Sequence, residues 1–332
     1  MPPFSAAARP PPAPAQTVDR DAAPTIDLLA FADYPPQARC VPDEAQAEKA
    51  TWLSAVITER VHADQYELPA FPALAVRVLN IMQQPEPDMA ELVRTIHADA
   101  AISAQLLRMA NSAFYSRGVE VSTVRDAAVR LGMKAVSNVA VAAATRAMLD
   151  AQEREYRDTF PEQFKRLASY SVQCAASSRW LALWLHQADQ EQAFLGGLLH
   201  DIGKLVALRA LAGMVQDGDA APDLPAVVVG AALEECHVAL GSELAFFWSL
   251  PGYVGHVCQQ HHQPKPEAAP TNRVLHLIRI ASALYESRTD PLHRRSLPDE
   301  LAWSAQAIGL ATEPLEAIAG ELKRLGGASP NL

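Results

Sequence analysis

GLLHDIGKLV (residues 197–206) sets a histidine beside an aspartate, His200-Asp201, at the end of one apolar run and the start of another, with Lys204 three residues on. A neutral imidazole and a carboxylate both ligate first-row divalent metals. Placed at a helix bend, the two can face one ion if other helices bring further ligands. Groups of the same chemistry follow: His237 in ECHVALG (235–241) and His261-His262 in QQHHQP (259–264). Each is weak alone. A single helical histidine is more often a satisfied core residue than a ligand, and a doublet before proline can simply be a polar helix end, where imidazolium suits the dipole. An HD pair, an isolated His and an HH pair on successive helices form a much stronger pattern. His97, His186, His256, His276 and His293 fall outside it.

Helices extend in both directions from this stretch. DEAQAEKATWLSAVITERVHADQ (43–65) places Trp52, Val56 and Ile57 at the i, i+4, i+5 spacing of one buried face. ALAVRVLNIMQQ stops before Pro85-Glu86-Pro87, and the next helix starts with Asp88 as N-cap. STVRDAAVRLG begins on a Ser122/Thr123 cap and stops at Gly132, placed as a C′ glycine. Pro161 opens a second unit with a long helix, and a Pro/Asp/Gly-rich break at 216–225 separates the following two. AVVVG (226–230) is β-prone but sits within helical periodicity. The predicted fold is all-α, a multi-helix assembly of two closely packed helical units.

Composition agrees. Of 332 residues, 49% are apolar and only 6% aromatic, a balance that favours packed helices over sheets. The net charge of −10 argues against binding nucleic acid by phosphate neutralisation; Arg294-Arg295 is the nearest thing to a basic patch and reads as solvated loop charge. Cys40, Cys174, Cys236 and Cys258 form no CxxC pair, which implies a reducing compartment. No apolar run reaches the roughly 18 residues needed to cross a bilayer, and no export signal opens the chain, so a cytoplasmic protein without a membrane partner is expected. The proline-rich start reads as a disordered or extended tail over residues 1–42.

GLLHDIGKLV, then H-x-x-x-G, then W-x-L-P with the HH doublet resembles the HD superfamily, and within it the HDOD domain (HD-related output domain). ELPAFPALAVRVLNIM (67–82), TIHADAAISAQLLRMANSAFYSRG (95–118) with its Asn111-Ser112 signature, and TVRDAAVRLGMKAV (123–136) are similar to the N-terminal half of that domain. The resemblance covers residues 66–265, as an N-terminal helical unit (66–150) and an HD-like unit (160–265). A helix at 43–65 precedes it, and C-terminal helices at 266–332 complete the HD-like unit.

The resemblance implies a metal site and also its decay. The doublet is His200-Asp201; Lys204 matches the lysine of the cyclic-di-GMP phosphodiesterases of the superfamily, a possible phosphate contact, and His237, His261 and His262 match their additional histidines. The first histidine of active HD hydrolases should fall in ASYSVQCAAS, where Tyr170 or Ser171 stands, and the final aspartate in LIRIASALYES, where Ser282 stands. One metal position would therefore keep only His200 and Asp201. A neighbouring one could collect Asp201, His237 and one or both of His261 and His262, enough for a single divalent ion (Fe, Mn or Zn), although no cofactor is expected. The family implies no catalytic residue here: a non-catalytic regulatory module of bacterial signal transduction, with signalling proteins of two-component or cyclic-di-GMP pathways as partners. The alternatives are a residual metal-dependent phosphohydrolase acting on a cyclic dinucleotide or nucleotide, or a pseudoenzyme that binds a nucleotide or one metal without turnover. Oligomeric state is not readable.

Overall fold

The computed structural model describes residues 41–63, 66–111, 118–156, 159–185, 189–263, 272–289 and 303–308. Among them every regular element is a helix, as the sequence predicts: α1 (Glu44–His62), α2 (Ala73–Met82), α3 (Met89–His97), α4 (Ala100–Ala110), α5 (Val124–Leu131), α6 (Met133–Glu155), α7 (Pro161–Leu185), α8 (Gln190–Leu199), α9 (Ile202–Asp217), α10 (Ala226–Phe247), α11 (Gly252–Gln260) and α12 (Arg273–Thr289). The expectations for the tail before Val41, for Ser112, for Arg294-Arg295 and for most of the C-terminal region fall outside the described residues.

Local chemistry starts and stops these helices. Asp88, Asp99, Thr123 and Asp189 cap α3, α4, α5 and α8 through side-chain oxygens that accept first-turn amides. Asp43 forms a capping box with Gln46 at α1. Gly132, at φ 82°, ends α5 and lets the chain turn 116° into α6. AVVVG lies inside α10, where burial of Val228 and Val229 against the core overrides their β-propensity.

One expectation fails. Trp52 is 58% exposed, and the buried face of α1 is Ala50, Leu53, Ile57 and Val61. This face is set by α10, on which α1 packs. Thr51 and Ser54 donate to the Glu235 carboxylate at 2.9 Å each, which rolls the indole outward.

A continuous apolar core runs from α1 to α11, and a second cluster joins α7, α8, α11, α12 and Ile308. Asn111, at the end of α4, pairs with Val121. Its amide donates to the Val121 carbonyl and accepts from the Val121 amide, both at 2.8 Å. Trp248, at the end of α10, donates to the Pro69 carbonyl at 2.8 Å and packs its ring 4.6 Å from Phe71, tying the segment before α2 to the helix that carries His237. Cys174, Cys236 and Cys258 are buried free thiols. No single helix among the described residues is long and apolar enough to cross a membrane.

Candidate metal centre

The chain breaks between α8 and α9 at His200 and Asp201, whose own φ is −101° and ψ 15°. Asp201 stands at the N-cap of α9, yet its carboxylate makes no cap hydrogen bond. A capping aspartate is normally worth about 1 kcal/mol to a helix. Here the carboxylate turns inward, to Lys204 on one oxygen and to two histidines on the other.

Glycine makes that convergence possible. A Cβ on Gly203 would lie 1.9 Å from the His237 carbonyl oxygen and 2.5 Å from the Gly241 amide nitrogen, so α9 and α10 can cross here only with a bare backbone. The crossing brings His237 to Asp201.

Three buried rings share one orientation device. His200 Nδ1 lies 2.9 Å from the Gly197 carbonyl. His237 Nδ1 lies 3.1 and 2.9 Å from those of Leu233 and Glu234, and His261 Nδ1 lies 3.0 Å from those of Val257 and Cys258. A carbonyl only accepts, so each Nδ1 carries a proton, and in the neutral ring each Nε2 then presents a lone pair. Backbone carbonyls fixing Nδ1–H is the usual arrangement around metal-ligating histidines.

The lone pairs of His237 and His261 aim at one point. Their Nε2 atoms are 3.2 Å apart, and they stand 3.3 and 3.2 Å from Asp201 Oδ1. Three acceptors at this spacing repel unless a positive charge lies among them, either a proton or a cation. Donor atoms about 2.0–2.2 Å from one ion, at tetrahedral to octahedral angles, stand roughly 3.0–3.5 Å from each other. The triangle fits a single divalent metal. His262 completes the group, with ligand atoms of Asp201, His237, His261 and His262 all within 4.8 Å of one another. Its side chain is 42% exposed at the rim, 3.9 Å from the Glu234 carboxylate.

The other oxygen of Asp201 faces a built-in cation. Lys204 Nζ donates to Asp201 Oδ2 at 2.7 Å and to Glu234 Oε1 at 2.9 Å. Burial opposes ionisation of Asp201, but the Lys204 ammonium beside it outweighs burial and holds the carboxyl well below its ordinary range. Lys204 is thus engaged by two carboxylates at the position read as a phosphate contact.

On the His200 side the neighbours are hydroxyls. Tyr170 Oη and Ser282 Oγ are 2.6 Å apart, and Tyr170 Oη is 3.4 Å from His200 Nε2. Since that Nε2 is an acceptor, Tyr170 donates to it and accepts from Ser282. Two hydroxyls and a hydrogen-bonded imidazole therefore line this side. Burial pushes the His200 imidazolium down to about 4, so the ring is neutral near pH 7. Tyr170, rather than Ser171, is the α7 side chain with a hydrogen bond to His200.

A profile of the HDOD domain matches residues 68–264. The chain belongs to the HDOD family. A structure from Shewanella amazonensis SB2B, provisionally named a metal-dependent phosphohydrolase, superposes with a TM-score of 0.64 at 19% identity, covering 84% of this HDOD chain and 99% of that one. A protein of Marinobacter aquaeolei VT8, provisionally named for signal transduction, gives 0.57 at 21%, covering 87% and 65%. At such identities the likeness establishes the fold. An uncharacterized protein of Treponema pallidum (strain Nichols) is 22% identical over 223 residues, 64% of this chain, and the HDOD chain spans only 40% of its length.

Sequence reading missed two contributors. Glu234 lies one turn before His237 and could have been found as a carboxylate at i−3. Arg279, in LIRIASALYES, donates to the carbonyls of Gln260 and His261 at the end of α11, and nothing local in the sequence marks it.

Proposed function

We propose that this HDOD chain is a regulatory module of bacterial signal transduction that acts through protein–protein contact, its cleft holding at most one divalent cation and performing no turnover. One observation carries this reading: Tyr170 and Ser282 close on each other at 2.6 Å beside His200, where a second ion would require an imidazole and a carboxylate. Asp201, His237 and His261, with His262 at the rim, would hold the single ion. A bound divalent metal supplies Lewis acidity and lowers the pKa of its water, but a pair of metals is what clamps both the attacking and leaving oxygens of a phosphoryl group. The role of the chain's own residues is then to orient and to stabilise. The three Nδ1–H groups are locked by carbonyls, and Lys204 neutralises one side of Asp201. The similarity to a protein provisionally named for signal transduction fits this reading.

A residual phosphohydrolase is the second reading, favoured by the converging lone pairs of His237 and His261 and by the fold shared with a protein provisionally named a metal-dependent phosphohydrolase. Assays of the Mn- and Fe-supplemented chain on cyclic-di-GMP and simple phosphodiesters separate the two. The regulatory reading expects no turnover above the Asp201→Ala variant. Robust hydrolysis that disappears in Asp201→Ala would replace it with the hydrolase reading.

A further inference from the structure

The end of α11 carries both members of the histidine doublet, and it ends without a glycine. His261, the C-cap, has φ −65° and ψ −22°, and the next turn closes through the Gln263 amide on the Gln260 carbonyl at 3.0 Å. The last carbonyls of a helix have no partners within it. Here they are met from α12. Arg279 Nη1 donates to the carbonyls of Gln260 at 3.3 Å, of His261 at 3.0 Å, and of Gln263. Its Nε donates to Ser304 Oγ at 3.1 Å, and its guanidinium lies 5.6 Å from the Trp303 ring. Trp303 in turn meets the His276 ring edge-on at 5.1 Å. Arg279 is only 6% exposed, so this planar fork is fixed from both sides.

We infer that Arg279 is a positioning residue for the metal centre: it fixes the backbone from which His261 and His262 project, and Trp303 and Ser304 hold it in that pose. The inference rests on the single-cation reading above. Two terms support it physically. A cation at a helix C-terminus is favoured by the dipole, and three carbonyls gathered on one guanidinium leave the 260–263 turn a single conformation. The His261 ring has its own Nδ1–H on the α11 carbonyls of Val257 and Cys258, so its Nε2 reaches Asp201 only while the end of α11 keeps its pitch. The segment at 303–308 thereby becomes part of the device that sets metal affinity, although none of its residues is among the four of the metal-ligating group.

The test is a titration of the full-length chain with Co²⁺, read by visible absorption, for wild type, Arg279→Lys, Arg279→Met and Ser304→Ala, beside thermal unfolding of the metal-free proteins. Residues that orient ligands cost about 10–100-fold in affinity when lost. Arg279→Met should therefore weaken Co²⁺ binding at least ~tenfold and alter the spectrum, with Arg279→Lys intermediate and Ser304→Ala weakened by a smaller factor. Should Arg279→Met fail to fold, Arg279→Lys and Ser304→Ala carry the test. Folded variants that bind Co²⁺ as tightly as wild type would overturn the inference. Long-range ¹H–¹⁵N spectra of the histidine rings give a metal-free readout: the single Nδ1–H tautomer of His261 should be lost in Arg279→Met while that of His200 persists. A wild-type chain that takes up no Co²⁺ would sink the cation reading, and the ring spectra would then decide the role of Arg279 on their own.

Discussion

His237 and His261 face each other with Nε2 atoms 3.2 Å apart, each ring held from behind by helix carbonyls on its Nδ1. Neither ring can donate to the other in that tautomer, and the nearest third atom is Asp201 Oδ1, also an acceptor. A proton or a metal cation among the three atoms relieves their repulsion. Removing one ring should therefore weaken metal binding. His261→Ala is expected to lower Mn²⁺ or Zn²⁺ affinity by about 100-fold or more, as loss of a direct ligand exceeds loss of an orienting partner. Calorimetric titration measures it.

Gly203 limits how closely α9 and α10 can approach. A methyl group there would overlap the His237 carbonyl, and the overlap is with backbone, which cannot swing aside. Gly203→Ala should destabilise the fold by roughly 3 kcal/mol, toward the upper end for overpacking. Urea denaturation checks this; a change within 0.5 kcal/mol, about what a neutral surface substitution gives, would show that the helices can part freely.

The closed side of the centre should reopen when its charge is restored. Tyr170→His with Ser282→Asp places an imidazole and a carboxylate beside His200 and Asp201, where two hydroxyls now pair at 2.6 Å. The double variant is expected to take up a second equivalent of metal, and either single variant is not. Metal analysis of the three proteins gives the answer.

Helix boundaries were legible in the sequence where their cause is local. Asp88, Thr123 and Gly132 act on neighbouring residues, so their roles can be read from chain order alone. Trp52 could not be read this way, because which face of α1 is buried depends on α10, some 180 residues away. The histidines and Asp201 stood out by residue type, but Gly203 and Arg279 are ordinary letters whose meaning comes from the backbone they meet. Tyr170 and Ser282 stood out only as positions where the resemblance expects ligands; their mutual hydrogen bond is a tertiary fact.

Acid should weaken the metal-free protein through His200. Burial lowers its folded pKa to about 4 from an ordinary 6.5, so between those values the unfolded chain binds a proton that the folded chain refuses. Stability from this group is whole above pH 6.5, falls as pH drops toward about 4, and is then gone; the full span is of order 3 kcal/mol. Asp201, held low, loses its share only at more acid pH, as pH falls through its folded value. Chelator-treated wild type should lose stability between pH 7 and pH 5, and His200→Asn should lose clearly less, as followed by urea denaturation at each pH.

The number of ions the cleft holds separates a single-cation site from a two-metal one. Purified full-length chain, equilibrated with excess Mn²⁺, Fe²⁺ or Zn²⁺ and freed of unbound metal, should carry close to one equivalent, and Asp201→Ala almost none. Two equivalents in the wild type would contradict the closed position at Tyr170 and Ser282, and none with any of the three metals would contradict the site at Asp201, His237 and His261.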